Sequence, residues 1–177
     1  MNKQVTAIVS VFAVLTGAEV GLFHWLNDTD IATRRPDTLH RQEAHTEALE
    51  LAALLQNRGD IGGAMESLRQ ALVASPEAPR PLLGLADLLA ASGRFAEAAE
   101  LYQRYLARVP DDRNARLRLA EALSASKAFD RAAAEYRVAL KQSSDDADTR
   151  IKLARTLSWS KRYEESIEEY RRALGER

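Results

Sequence analysis

Apolar and polar positions along residues 45–177 follow the helical period of 3.6, with none of the strict alternation of a half-buried strand. Leu85, Ala86 and Leu89 share one helical face, and Ala98, Leu101, Tyr102 and Tyr105 share another, with Gly93 between the two groups. The spacing predicts two amphipathic helices joined by a short turn, and the same arrangement returns every 34 residues. Gly59, Gly93, Lys127 and Lys161 hold the equivalent turn position. Five residues on comes a small side chain, Ala64, Ala98, Ala132 or Ser166; nine on comes Leu68, Tyr102, Tyr136 or Tyr170; twelve on comes Ala71, Tyr105, Ala139 or Ala173. Seventeen on comes Pro76, Pro110 and then Ser144. Upstream, Leu51, Leu85, Leu119 and Leu153 are each followed by Ala, and four residues on by Leu55, Leu89, Leu123 and Leu157. Such a period predicts stacked helical hairpins.

Side-chain sizes fit that stacking. Ala64, Ala98 and Ala132 let the second helix of a hairpin approach the first, and Tyr102, Tyr136 and Tyr170 fill the space between neighbouring hairpins. Pro110, followed by Asp111 and Asp112, ends one hairpin and opens the next, since proline cannot continue a helix and an acidic residue caps a new one. This register resembles the tetratricopeptide repeat, over residues 45–78, 79–112, 113–146 and 147–177. It departs from that family where the family's Trp position carries Ala48, Leu82, Arg116 and Arg150, and where Ser144 replaces the third Pro. The resemblance implies an all-α fold, a right-handed α-solenoid of four helix-turn-helix repeats spanning 38–177.

Residues 1–26 change the picture at the amino end. Lys3 precedes an apolar run from Val5 to Leu26, broken by Glu19, and about 20 residues suffice for a helix to span a bilayer. The expectation is a transmembrane signal anchor over 1–26 and a polar linker over 27–37, with Asp37 capping a long first helix. The alternative is a cleaved signal peptide with Thr16-Gly17-Ala18 as the cleavage site. The anchor implies a single-pass inner-membrane protein with its repeats in the periplasm; cytoplasmic repeats, or cleavage and export, are the alternatives. No cysteine is present, so disulfides and thiolate metal sites are excluded. A formal charge of -1 argues against a general nucleic-acid binder.

Candidate chemistry is sparse. His40, Glu43 and His45 resemble a metal cluster, but the two His are five residues apart and point in different directions on a helix. Gly59, Gly62 and Gly63 lack the Lys and Ser or Thr of a phosphate loop. No cofactor, metal site or catalytic group is expected, and the chain is read as a non-enzyme. In the resembled family, positions 2, 5, 9, 12 and 13 of each repeat line a concave groove. Carried over, they include Arg80, Leu83 and Asp87, then Leu117, Glu121, Ser124 and Ala125, then Ile151, Arg155, Ser158 and Trp159, with Arg118 as a further polar candidate. Leu49, Leu83, Leu117 and Ile151 would form an apolar strip. Family members that clamp a terminal carboxylate carry Lys at position 5 and Asn at position 9 of the first repeat; Leu49 and Ala53 stand there, so that specificity is not implied. Trp159 reads either as a binding anchor or as packing at the end of the array.

The expected function is a membrane-tethered protein–protein interaction scaffold that helps assemble an envelope complex, with a protein or peptide in its groove. A periplasmic assembly chaperone, or a non-catalytic subunit of a membrane enzyme or polysaccharide-export system, are the alternatives. Tyr163, Ile167, Tyr170 and Leu174 leave an apolar flank on the last hairpin, which either the Glu and Arg residues of that helix cap or a partner or a second copy covers, the latter giving a homo-oligomer through the C-terminal repeat.

Overall fold

The computed structural model describes residues 45–175, and among them finds eight α-helices and no strand. Residues 45–57 are helical and are called α1. There follow α2 (Ile61–Ala74), α3 (Pro79–Ala91), α4 (Phe95–Arg108), α5 (Arg113–Ala125), α6 (Phe129–Gln142), α7 (Ala147–Trp159) and α8 (Tyr163–Ala173). From α2 onward each helix packs chiefly against its neighbours in sequence, which is the contact pattern of a solenoid.

The turn inside each hairpin is left-handed at one residue. Gly59 and Gly93 have φ of 85° and 77°, and Lys127 and Lys161 take φ of 65° and 62° at the same position. Across it, the backbone N–H of Arg94 donates to Leu89 O, that of Ala128 to Leu123 O and that of Arg162 to Leu157 O. These bonds satisfy carbonyls that a helix end leaves free. The Lys turns forgo the freedom that glycine has there, at a cost of about 1 kcal/mol each.

Between hairpins, acidic caps open the next helix. Asp112 accepts from the backbone N–H of Ala115 and Asp146 from that of Thr149, while Pro79 at the start of α3 has no N–H that would need an acceptor. Tyr105 donates its hydroxyl to Asp112 at 2.8 Å. Helices α2 and α4 end two residues before Pro76 and Pro110; α6 ends at Gln142 with Ser144 in that place.

The hairpin interiors are closed by the small residues. Ala64, Ala98 and Ala132 have no exposed surface, and Ser166 is buried with its hydroxyl donating to Ala154 O at 2.8 Å. Leu85, Ala86 and Leu89 are buried with their counterparts Leu119, Ala120, Leu123, Leu153, Ala154 and Leu157. In the first repeat Leu51 stays exposed although Ala52 is buried.

The unusual residues at the family's Trp position find their own partners. Leu82 is fully buried. Arg116 reaches Glu135 at 2.9 Å and Pro110 O at 2.7 Å, and Arg150 reaches Glu169 and Ser144 O, both at 2.9 Å. In repeats three and four an ion pair between the two helices therefore stands where an aromatic ring would pack. Ser144 supplies the carbonyl that Pro110 supplies one repeat earlier.

The expectation of a single-pass membrane protein with a periplasmic repeat domain is corrected: among the described residues, no helix is long and apolar enough to cross a membrane. Helices α2 to α8 run to at most 14 residues and are amphipathic. The anchor placed at 1–26, the linker at 27–37 and the cap at Asp37 lie outside the described residues.

Candidate functional site

The first helices of successive hairpins, α3, α5 and α7, carry the candidate groove residues. Arg80 is exposed on α3. Leu49, Leu83 and Leu117 are half-buried and pack against the core, so much of the anticipated apolar strip is occupied inside the fold; Ile151 is also half-buried.

Charged side chains on this surface form rungs from one repeat to the next. Asp87 accepts from Arg118 at 2.7 Å, and Glu121 accepts from Lys152 at 2.5 Å. Both rungs join position 9 of one repeat to position 6 of the following one. Exposed pairs of this kind contribute about 0 to 1 kcal/mol each and chiefly fix register. Tyr102, buried between α3 and α5, donates its hydroxyl to the other Asp87 oxygen at 2.6 Å. Burial first, then the Asp87 bond and charge, push the Tyr102 hydroxyl pKa well up.

Between α5, α6 and α7 the surface opens into a pocket of about 450 Å³ with a mostly apolar lining. Helix α5 supplies Glu121, Ser124 and Ala125, and α7 supplies Lys152, Arg155, Thr156 and Trp159. Five of these, Glu121, Ser124, Ala125, Arg155 and Trp159, occupy groove positions read from the sequence. The remaining wall comes from Lys127 in the left-handed turn and from Phe129 and Tyr136 on α6. Sequence spacing alone did not bring these three to the groove, because they belong to the second helix of the hairpin and its turn.

Trp159 has 53% of its surface exposed and rests on Phe129, with ring centroids 5.7 Å apart and planes tilted by 42°. Packing and exposure thus coexist on one side chain. On the floor, the Ser124 and Thr156 hydroxyls are 3.3 Å apart, and Thr156 donates to Lys152 O at 2.8 Å. Tyr136 is 2% exposed, and its hydroxyl makes no hydrogen bond among the described residues. Burial foremost, and the charge of Glu121, push its pKa well up against the opposing charge of Arg155, so it remains a protonated donor. Arg155 likewise makes no ion pair or hydrogen bond among the described residues.

His45 is half-buried on α1, and His40 and Glu43 lie outside the described residues. Among the described residues no group of three His, Asp or Glu side chains is placed to hold a metal ion. The arrangement offers apolar surface, donors and cations, which are the means of binding.

The family model for the tetratricopeptide repeat matches residues 54–116, 89–138 and 123–177. Solved structures with a similar fold include MamA from AMB-1, with a TM-score of 0.68 at 22% identity, covering 72% of this chain and 70% of that one. MamA 41-end from Desulfovibrio magneticus RS-1 gives a TM-score of 0.66 at 19% identity over 75% of each chain. No curated protein matches in sequence.

Proposed function

Starting from a chain that belongs to the tetratricopeptide repeat family, a protein-interaction fold, we propose that it works as a non-catalytic scaffold. It holds a segment of a partner protein along the surface formed by α3, α5 and α7 and so brings the components of a larger assembly together. Arg80, Asp87, Arg118, Glu121 and Arg155 supply polar contacts along this surface, Leu83, Leu117 and Ile151 its half-buried apolar base, and Trp159 the anchor. The observation that carries the reading is the pocket at the α5–α6–α7 seam, where a half-exposed Trp159 stands beside unpaired donors. Aromatic anchors of this kind dominate interface energetics.

The test is site-specific photo-crosslinking of the full-length protein in its native cells. A benzophenone amino acid at Ala125, exposed in the pocket wall, is compared with one at Arg131, exposed on α6 outside the pocket. Adducts to a protein partner are expected from Ala125, absent from Arg131, and lost when Trp159→Ala is added with helicity unchanged. Equal labelling from both positions, or none from Ala125, would overturn the scaffold reading.

A further inference from the structure

We propose that the α5–α6–α7 pocket recognises an internal acidic segment of a partner polypeptide. A large apolar side chain of that segment seats over Tyr136 against the Phe129–Trp159 ring pair, and a neighbouring Asp or Glu carboxylate is held by Arg155 and the Tyr136 hydroxyl, with Lys127 at the rim. This inference rests on the scaffold reading and adds the chemistry of the partner.

The pocket carries an excess of donors. Four charged side chains line the pocket: Glu121, Lys127, Lys152 and Arg155. Glu121 and Lys152 satisfy each other at 2.5 Å. That leaves Arg155 and Lys127, neither with an ion pair or hydrogen bond among the described residues, in a chain whose formal charge is only -1. The local surplus is positive where the molecule as a whole is slightly negative.

Repeat symmetry sharpens the point. Position 9 is acidic in the two preceding repeats, as Asp87 and Glu121, and each acid takes a cation from the next repeat. In the fourth repeat the same position is Arg155, one turn from Lys152 and repelled by it. The tyrosines differ in the same sense. Tyr102 donates to Asp87 at 2.6 Å, whereas its counterpart Tyr136, equally buried, donates to no group among the described residues. Among the described residues the Tyr136 hydroxyl is not one of the polar atoms sealed from solvent without a partner, so it opens to the pocket and offers its donor to an acceptor that a ligand brings. A guanidinium and a phenol beside apolar rings select an anion attached to an apolar group. A carboxylate next to a large side chain on a peptide has that form, and the pocket opens onto the surface that would carry the rest of the chain.

The test is fluorescence anisotropy with the full-length protein and a rhodamine-labelled, carboxyl-amidated peptide of sequence EDEFEDE, beside KRKFKRK and EDEAEDE. The acidic aromatic peptide is expected to bind at least tenfold more tightly than either comparison peptide, and to weaken between 50 and 300 mM NaCl. Arg155→Glu should abolish binding. Tyr136→Phe keeps the ring and removes only the free donor, so affinity should fall about five- to tenfold with the melting temperature unchanged. Lys127→Gly relieves the left-handed turn while removing a rim cation. It should weaken binding severalfold and leave the fold as stable or more so, whereas Lys161→Gly, on the equivalent turn away from this pocket, should leave binding unchanged. Equal binding of acidic and basic peptides, or wild-type affinity in both Arg155→Glu and Tyr136→Phe, would overturn the proposal. So would binding only when the peptide carries a free terminal carboxylate. Persistence of the Ala125 crosslinks with no acidic-peptide binding would sink the acidic assignment and spare the scaffold; loss of the crosslinks would sink the scaffold itself.

Discussion

Replacing Ala98 with Leu tests the helix pairing inside one hairpin of the array. Ala98 has no exposed surface where α4 comes down on α3, within the cluster that holds Leu85, Leu89 and Tyr102. Three added carbons must enter a site where Ala98 is already fully enclosed by its neighbours, so the gain from burying them is offset by overpacking. The helices must separate or neighbouring side chains must leave their rotamers, a cost of about 1 to 3 kcal/mol. For a domain of this size each kcal/mol lowers the melting temperature by roughly 3 to 4 °C, giving a fall of about 3 to 12 °C. Ala96 provides the control, since it lies on the same helix, is exposed, and should tolerate Leu within about 0.5 kcal/mol. Thermal melts followed by far-UV circular dichroism would read both. An unchanged melting temperature for Ala98→Leu, or an equal fall for Ala96→Leu, would refute the helix pairing on which the register rests.

Two further outcomes follow from the hydrogen bonds. Thr149's hydroxyl and backbone N–H, with Arg113, hold the Asp146 carboxyl down to about 2 from its ordinary 3.8. A depressed carboxyl stabilises above its unfolded-state pKa and loses that contribution as pH falls through the folded value. Asp146→Asn should therefore cost about 1 kcal/mol at pH 7 after solvent screening, with the gap to wild type closing between about pH 4 and 2 in urea titrations; a gap independent of pH would refute it. Tyr102→Phe should lower stability by about 1 kcal/mol by removing the bond to Asp87, without affecting the pocket one repeat away. A variant as stable as wild type would show that Arg118 alone satisfies Asp87.

The period, the small residues and the acidic caps were legible because each is a local choice repeated at fixed spacing. Ala64, Ala98, Ala132 and Ser166 declare the close approach, and Asp112 declares the helix start, from residue type alone. What Arg116 and Arg150 do in the family's Trp position was not legible. Their partners Glu135 and Glu169 lie 19 residues on, across a hairpin, and many other acids compete for them in a sequence so rich in charge. The pocket was half legible for a similar reason. Position rules point to one helix per repeat and so find Glu121, Arg155 and Trp159. Phe129, Tyr136 and Lys127 reach the site only because the second helix of one repeat meets the first helix of the next. The apolar strip is only half exposed, since Leu83 and Leu117 at groove positions also pack their side chains against the core.

The equivalence of successive seams makes the array a set of interchangeable cassettes. Excising residues 113–146 would join Asp112 to Ala147, leaving an aspartate to cap α7 and setting α4 where α6 stood. Phe95 would then lie beneath Trp159, Tyr102 would replace Tyr136, Asp87 would replace Glu121 opposite Lys152, and Gly93 would replace Lys127. The shortened protein would keep the shape of the pocket yet lose its spare phenol, already committed to Asp87, and one of its two unpaired cations. Architecture in this molecule is a property of the period, whereas ligand preference is a property of the few places where one cassette breaks the pattern of the others.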